Sequence, residues 1–143
     1  MKPSLISVMV TMLVVLATAC IPAQTPTAPP PAFTLATSIK DITGTWHNEG
    51  AGVYLRFYED GTLNNADSAE KLDKQPYARS EIRFEGTQMS LKETAVDGVP
   101  SCGDALGLYE VRLLPDGKIE IVAIEDQCPP RATDTALEFE PVR

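Results

Sequence analysis

Apolar and polar residues alternate along most of the chain beyond position 43, and the period is that of strands. Val53, Leu55 and Phe57 alternate with Tyr54, Arg56 and Tyr58, after which Glu59-Asp60-Gly61 turns the chain into Thr62-Leu63. Because side chains point to opposite faces at each step of a strand, this pattern predicts a hairpin with one face buried. A second hairpin is predicted where Glu81-Ile82-Arg83-Phe84 runs through Glu85-Gly86-Thr87 to Met89 and Leu91. A third joins residues 108–113 to residues 119–124 through Pro115-Asp116-Gly117. Leu137, Phe139 and Val142, separated by Glu138 and Glu140, make a last strand broken by Pro141. With Gly44-Thr45-Trp46 the total is about eight short strands.

Two stretches interrupt the alternation. Residues 65–75 carry Ala66, Ala69 and Leu72 among polar neighbours, a pattern for a turn or two of helix before Pro76 stops it. Residues 95–107 hold Asp97-Gly98, Pro100 and Cys102-Gly103-Asp104, which reads as a loop. A series of antiparallel hairpins must bury one face and dispose of its edges, and closure into a barrel does both. The expected class is therefore all-β, an antiparallel barrel, with a strongly twisted half-open sheet as the alternative.

The N-terminal region follows a different pattern. Behind Lys2 an uncharged apolar run covers residues 5–19, shorter than the roughly 20 residues that cross a hydrocarbon core. It closes on Leu16-Ala17-Thr18-Ala19-Cys20, which resembles the lipobox of bacterial lipoproteins. That resemblance implies a signal peptide over residues 1–19, a lipid on Cys20 and attachment to a membrane in the cell envelope, outside the cytoplasm. Ala17-Thr18-Ala19 also fits the cleavage site of an ordinary signal peptide, in which case Cys20 is a free thiol. Residues 21–31 contain five prolines and no charge, so they favour extended backbone and cannot pack. Residues 20–38 are thus expected to be anchor and linker, and residues 39–143 a single small domain.

At the head of that domain, Ile42-Thr43-Gly44-Thr45-Trp46 resembles the Gly-x-Trp signature that opens the first strand of lipocalin-like (calycin) barrels. The resemblance implies that Gly44 and Trp46 lie at the closed floor of the barrel, often beneath a late arginine, for which Arg131 and Arg143 are the candidates by position. It further implies a small apolar or amphipathic ligand inside the barrel. The competing expectation is a barrel filled by its own side chains that serves as an envelope interaction or structural module. Independently of any resemblance, a lone tryptophan in a small β domain is foremost a core anchor. His47, next along the strand, should face the other way, toward solvent.

Charge narrows the partners. The chain has 12 Lys and Arg against 20 Asp and Glu, a net charge of −8, and loss of Lys2 with the leader would make it one unit more negative. Bulk electrostatics therefore oppose nucleic acid as a partner. An exported chain meets oxidising conditions, so with Cys20 assigned to lipid, Cys102 and Cys128 are expected to form a disulfide. Two cysteines and the single His47 offer no zinc-site spacing, and no metal or cofactor is expected.

The residues for enzymatic chemistry are sparse. The sequence has no Gly-x-Ser-x-Gly, no phosphate-binding glycine loop and no paired histidines, and the acidic pairs Glu59-Asp60 and Glu125-Asp126 sit at turns or strand ends. One constellation remains, residues 125–131 (Glu-Asp-Gln-Cys-Pro-Pro-Arg). Asp126 and Arg131 there either meet a polar ligand group at the barrel mouth or pair with each other and with backbone in a loop stapled by the disulfide.

Overall fold

The computed structural model describes residues 32–143; the expected signal peptide, Cys20 and most of the linker lie outside the described residues. The strands are β1 (Thr34–Leu35), β2 (Gly44–Asn48), β3 (Val53–Phe57), β4 (Thr62–Ala66), β5 (Ala78–Glu85), β6 (Gln88–Val96), β7 (Leu106–Leu113), β8 (Ile119–Asp126) and β9 (Glu138–Pro141). Helices are few: a 3-10 turn at Ile39–Asp41, α1 (Lys71–Lys74) and α2 (Pro129–Thr135). Hydrogen bonding runs β7-β6-β5-β4-β3-β2-β9-β8, and β8 pairs back onto β7. All pairings are antiparallel, so β2 to β9 form a closed eight-stranded barrel compatible with a lipocalin-like fold.

The inward faces are those the alternation predicts. Val53, Leu55 and Phe57, then Ile82, Met89 and Leu91, then Tyr109 and Val111, Ile119 and Ile121, and Phe139 are buried in one cluster with Trp46. Each large apolar side chain so removed from water contributes roughly 1.5 to 3 kcal/mol against the entropy of ordering the chain.

Elsewhere the structure departs from the local reading. Thr34 and Leu35, in the stretch read as linker, pair with Leu113 and Arg112 of β7, and the Ala36 amide donates to the Val111 carbonyl at 2.9 Å. This segment takes up the β7 edge where β6 has ended, since β6 pairs with β7 only as far as Glu110. β4 runs on to Ala66, leaving a helix of only four residues after it. Asn64 donates to the Leu72 carbonyl at 2.8 Å and Arg56 pairs with Asp73, which ties α1 to the outside of β3 and β4.

The two barrel ends are built differently. At one end lie the turns after β3, β5 and β7, together with the 3-10 turn. Here the Asp41 carboxylate accepts from the Thr37 and Ser38 amides (2.9 and 3.0 Å), and Ile42 is buried. At the other end lie residues 97–105 and α2, which returns the chain from β8 to β9.

Candidate functional site

The α2 end gathers the polar groups, and a register shift places the first of them. Leu108 pairs with Glu125 but Tyr109 pairs with Ala123, so Ile124 is an extra residue in β8. A bulge of this kind inverts the alternation beyond it. Ile119 and Ile121 point inward as the period requires, and past the bulge it is Asp126 that turns in, opposite Gly107.

Arg131 reaches Asp126 from α2. Its Nε and Nη2 donate to the two carboxylate oxygens at 2.8 and 2.6 Å, and Nη1 donates to the Ala105 carbonyl at 2.9 Å. The Tyr109 hydroxyl also donates to Asp126, and the Cys128 amide donates to Asp126 Oδ1 at 2.8 Å. Both charged side chains are withdrawn from water, at 1 % exposure for Asp126 and 6 % for Arg131. Burial alone would raise the Asp126 carboxyl, but hydrogen bonds from Arg131, Tyr109 and the Cys128 amide outweigh it and hold the carboxyl below its usual value of 3.8. Burial, then the neighbouring carboxylate, drives the Tyr109 phenol upward. A Cβ on residue 107 would lie 2.7 Å from Tyr109 Cε2 and 2.8 Å from Asp126 Oδ2, so only glycine leaves room for the cluster.

Of the two expectations for Asp126 and Arg131, the geometry is that of mutual pairing and backbone capping. Every guanidinium nitrogen has an acceptor and the carboxylate is fully engaged. The group is a latch between α2 and the barrel interior.

Cys102 and Cys128 form the expected disulfide, with Cα atoms 5.5 Å apart. It joins the loop of residues 97–105 to the residue preceding α2. The loop is further held by Glu93, which accepts from Ser101 Oγ and the Cys102 amide at 2.9 and 2.7 Å. Glu93 is turned to the mouth beside another bulge, where Ser80 pairs with Glu93 while Arg79 pairs with Ala95. Between the loop, α2 and the rims of β4 to β6 lies a pocket of about 110 Å³. Asn65, Tyr77, Ser80, Glu93 and Asp134 supply its polar wall, and Leu91, Val99, Pro100 and Pro130 its apolar wall.

In that pocket Asp134 stands apart electrostatically. Burial raises its carboxyl above the usual 3.8, and among the described residues no hydrogen bond or ion pair engages it. The Tyr77 phenol is pushed up to about 12 by burial and by the Asp134 and Asp67 carboxylates, so it keeps its proton at neutral pH. None of Asn65, Tyr77, Ser80, Glu93 and Asp134 stood out in the sequence. One signal for the helix that carries Asp134 was present: Pro129 and Pro130 open α2, where missing amide donors are harmless.

The remaining sequence candidates lie elsewhere. Gly44 has φ of +132°, a conformation that residues with a Cβ rarely adopt, and it admits β2 into the barrel from the 3-10 turn. Trp46 is buried, and its indole Nε1 donates to the Ile42 carbonyl at 2.8 Å, so it lies against the residue that follows the 3-10 turn. The late-arginine expectation needs correction for Arg131, which sits at the opposite end of the barrel, drawn there by Asp126, whereas the exposed Arg143 follows Val142, whose amide donates to the Thr45 carbonyl at 2.9 Å. His47 does face away from Trp46, half-buried and stacked on Tyr54 with ring centroids 4.0 Å apart. Asp60 serves the turn after β3, accepting from the Thr62 amide at 2.9 Å. Among the described residues no group of three His, Cys, Asp or Glu side chains could hold a metal ion. Comparison with known proteins adds no assignment to this geometry: no family model, curated protein or solved structure matches the chain.

Proposed function

We propose that this protein is an extracytoplasmic envelope lipoprotein, anchored through a lipid on Cys20, whose lipocalin-like barrel is a filled, non-enzymatic interaction module. The packing of the interior is the observation that carries this reading. Trp46, Leu55, Phe57, Met89, Tyr109 and Phe139 meet in one buried cluster on the barrel axis, where a carrier would keep its ligand space. The pocket at the α2 end, about 110 Å³, is well below the roughly 300 Å³ at which sites for drug-sized ligands begin, and the larger recess of about 460 Å³ beside His47, Glu138 and Glu140 is lined by strand positions that alternate with the inward-facing Trp46 and Phe139. A lipid carrier is thus the less favoured reading, although the lipocalin resemblance first points to one.

The anchor rests on Leu16-Ala17-Thr18-Ala19-Cys20 and the proline-rich stretch after it. The path of the chain supports an orientation. Thr34 pairs with Leu113, the last residue of β7 before its turn, so the tether enters at the 3-10 end and the α2 end points away from the membrane. The acidic balance of the chain suits a protein partner with a basic surface.

Two measurements test the proposal. An apolar fluorescent probe, titrated into protein that shows a cooperative thermal transition, is expected to give no saturable signal that an unlabelled fatty acid competes away. Competed binding near one site per chain would restore the carrier reading. For the anchor, Cys20→Ala is expected to move the protein from the membrane to the soluble fraction or to block its processing, because acyl chains dominate membrane affinity. Unchanged fractionation would remove the lipoprotein claim and leave the filled barrel standing.

A further inference from the structure

We propose that the pocket between α2 and the 97–105 loop binds a primary ammonium group on a short alkyl stem, supplied by a free small amine or by a lysine side chain of a partner. The inference deepens the interaction reading by naming the chemistry that the α2 end recognises.

Two of the charged side chains that line the pocket are already engaged. Arg131 spends its donors on Asp126 and the Ala105 carbonyl, and Glu93 accepts from Ser101 and the Cys102 amide through Oε2 alone. Asp134 is the carboxylate left over, half-buried in the pocket wall with no partner among the described residues. A carboxylate partly withdrawn from water and unpaired is costly, and a cation seated against it recovers that cost. An anion would meet Asp134 and Glu93 with no free positive charge to offset them.

The form of the cation follows from its neighbours. Tyr77 and Ser80 line the same pocket as Asp134; the Asn65 side chain hydrogen-bonds the Tyr77 phenol, and among the described residues no hydrogen bond engages the Ser80 hydroxyl. A carboxylate and two hydroxyl-bearing side chains on one pocket wall suit an ammonium, which has three donors to place. A guanidinium instead wants a planar, two-pronged acceptor, for which one carboxylate is already the whole supply. A bare calcium ion would need six or more oxygens. Leu91, Val99 and Pro100 line the rest of the pocket and suit a stem of a few methylenes. The volume, about 110 Å³, is somewhat below the roughly 150 Å³ of a cavity that takes benzene, so the stem must be short and unbranched. The net charge of −8 raises the local concentration of cations around the whole molecule.

The test is an NMR titration of the full chain with n-butylammonium, n-butanol and n-butyrate as separate probes. Saturable shifts at Leu91, Val99 and Thr135 are expected with n-butylammonium, with n-butanol weaker by about tenfold and n-butyrate silent. Asp134→Asn should weaken n-butylammonium by a similar factor while leaving n-butanol unchanged. Should Asp134→Asn fail to fold, Val99→Trp at the exposed rim provides the second variant, and it should block all shifts in the pocket. A capped Gly-Lys-Gly peptide then separates the sources: binding like n-butylammonium assigns a partner's lysine, and binding of n-butylammonium without the peptide assigns a free amine. Equal affinity for n-butanol and n-butylammonium, or shifts that survive both variants, would overturn the proposal. Neither result touches the apolar-probe experiment, so failure here is distinguishable from failure of the filled-barrel reading.

Discussion

The two ends of this barrel solve the same problem with opposite materials. At the 3-10 end the interior is sealed by apolar side chains, with Ile42 fully buried and Trp46 held by one neutral hydrogen bond to the Ile42 carbonyl. At the α2 end the seal is a buried ion pair, a phenol and a covalent staple. An apolar seal tolerates small shifts in geometry, because its energy follows area removed from water. A buried ion pair does not, for each member is costly once its partner moves. The α2 end, which carries the small pocket, is thereby fixed in one arrangement, while the 3-10 end depends on apolar packing.

The largest effect is expected at Asp126. Asp126→Ala leaves the Arg131 guanidinium buried and without its carboxylate, and is expected to destabilise the domain by about 3 to 5 kcal/mol in urea unfolding. Replacing both partners with apolar residues, Asp126→Leu with Arg131→Met, should recover most of that loss. If the double variant is as unstable as the single one, the pair does more than neutralise itself. Asp126 also sets a pH dependence. Its folded value lies below 3.8, so its contribution is complete above the unfolded value and disappears as pH falls through the lower folded one. Acid unfolding of the wild type should therefore have a component below about pH 4 that Asp126→Ala removes.

A somewhat smaller effect is expected at the staple. The bridge spans 26 positions, and chain-entropy arguments assign such a loop about 3 to 4 kcal/mol. Beyond the loss in melting temperature, reduction should act unevenly. Hydrogen exchange is expected to speed up in residues 97–105 and α2, while the emission of Trp46, the only tryptophan in the chain, stays that of a buried ring. Equal loosening at both ends would mean that the barrel opens as one unit and that the contrast between its ends has no energetic content.

Gly107→Ala sharpens the same contrast with a single methyl group. The added Cβ would crowd Tyr109 and Asp126, at an expected cost of about 1 to 3 kcal/mol. At the 3-10 end, Trp46→Phe keeps an aromatic ring, gives up the bond to Ile42 and should cost about 1 kcal/mol. Thermal melts of the two variants side by side decide whether the polar end is the less forgiving one.

Much of the fold was legible because strand faces are written locally. Val53, Leu55 and Phe57 declare an inner face by their spacing, and Gly61 and Gly117 mark turns between adjacent strands. The 34–36 segment was not legible, since two residues beside a β7 edge look like linker until that edge is seen to be vacant. The site was still harder to find. Asn65, Tyr77, Ser80, Glu93 and Asp134 come from β4, the segment before β5, β5 itself, β6 and α2, with nothing in their spacing to connect them.

By itself the sequence determined the all-β class, the hairpins, the pairing of Cys102 with Cys128 and the burial of Trp46. Each of these follows from local periodicity, turn chemistry or counting. Tertiary structure alone decided that the barrel closes through β7 and β8, that Thr34 and Leu35 join it, and that Arg131 serves the α2 end instead of the end that holds Trp46. It also decided which way Asp126 points. A strict period of two from Ile119 and Ile121 would have sent Asp126 outward, and the extra residue at Ile124 reverses it. Alternation is a property of one strand, whereas a bulge is a property of two strands paired across a distance, and that is why the interior charge could be seen only in the folded chain.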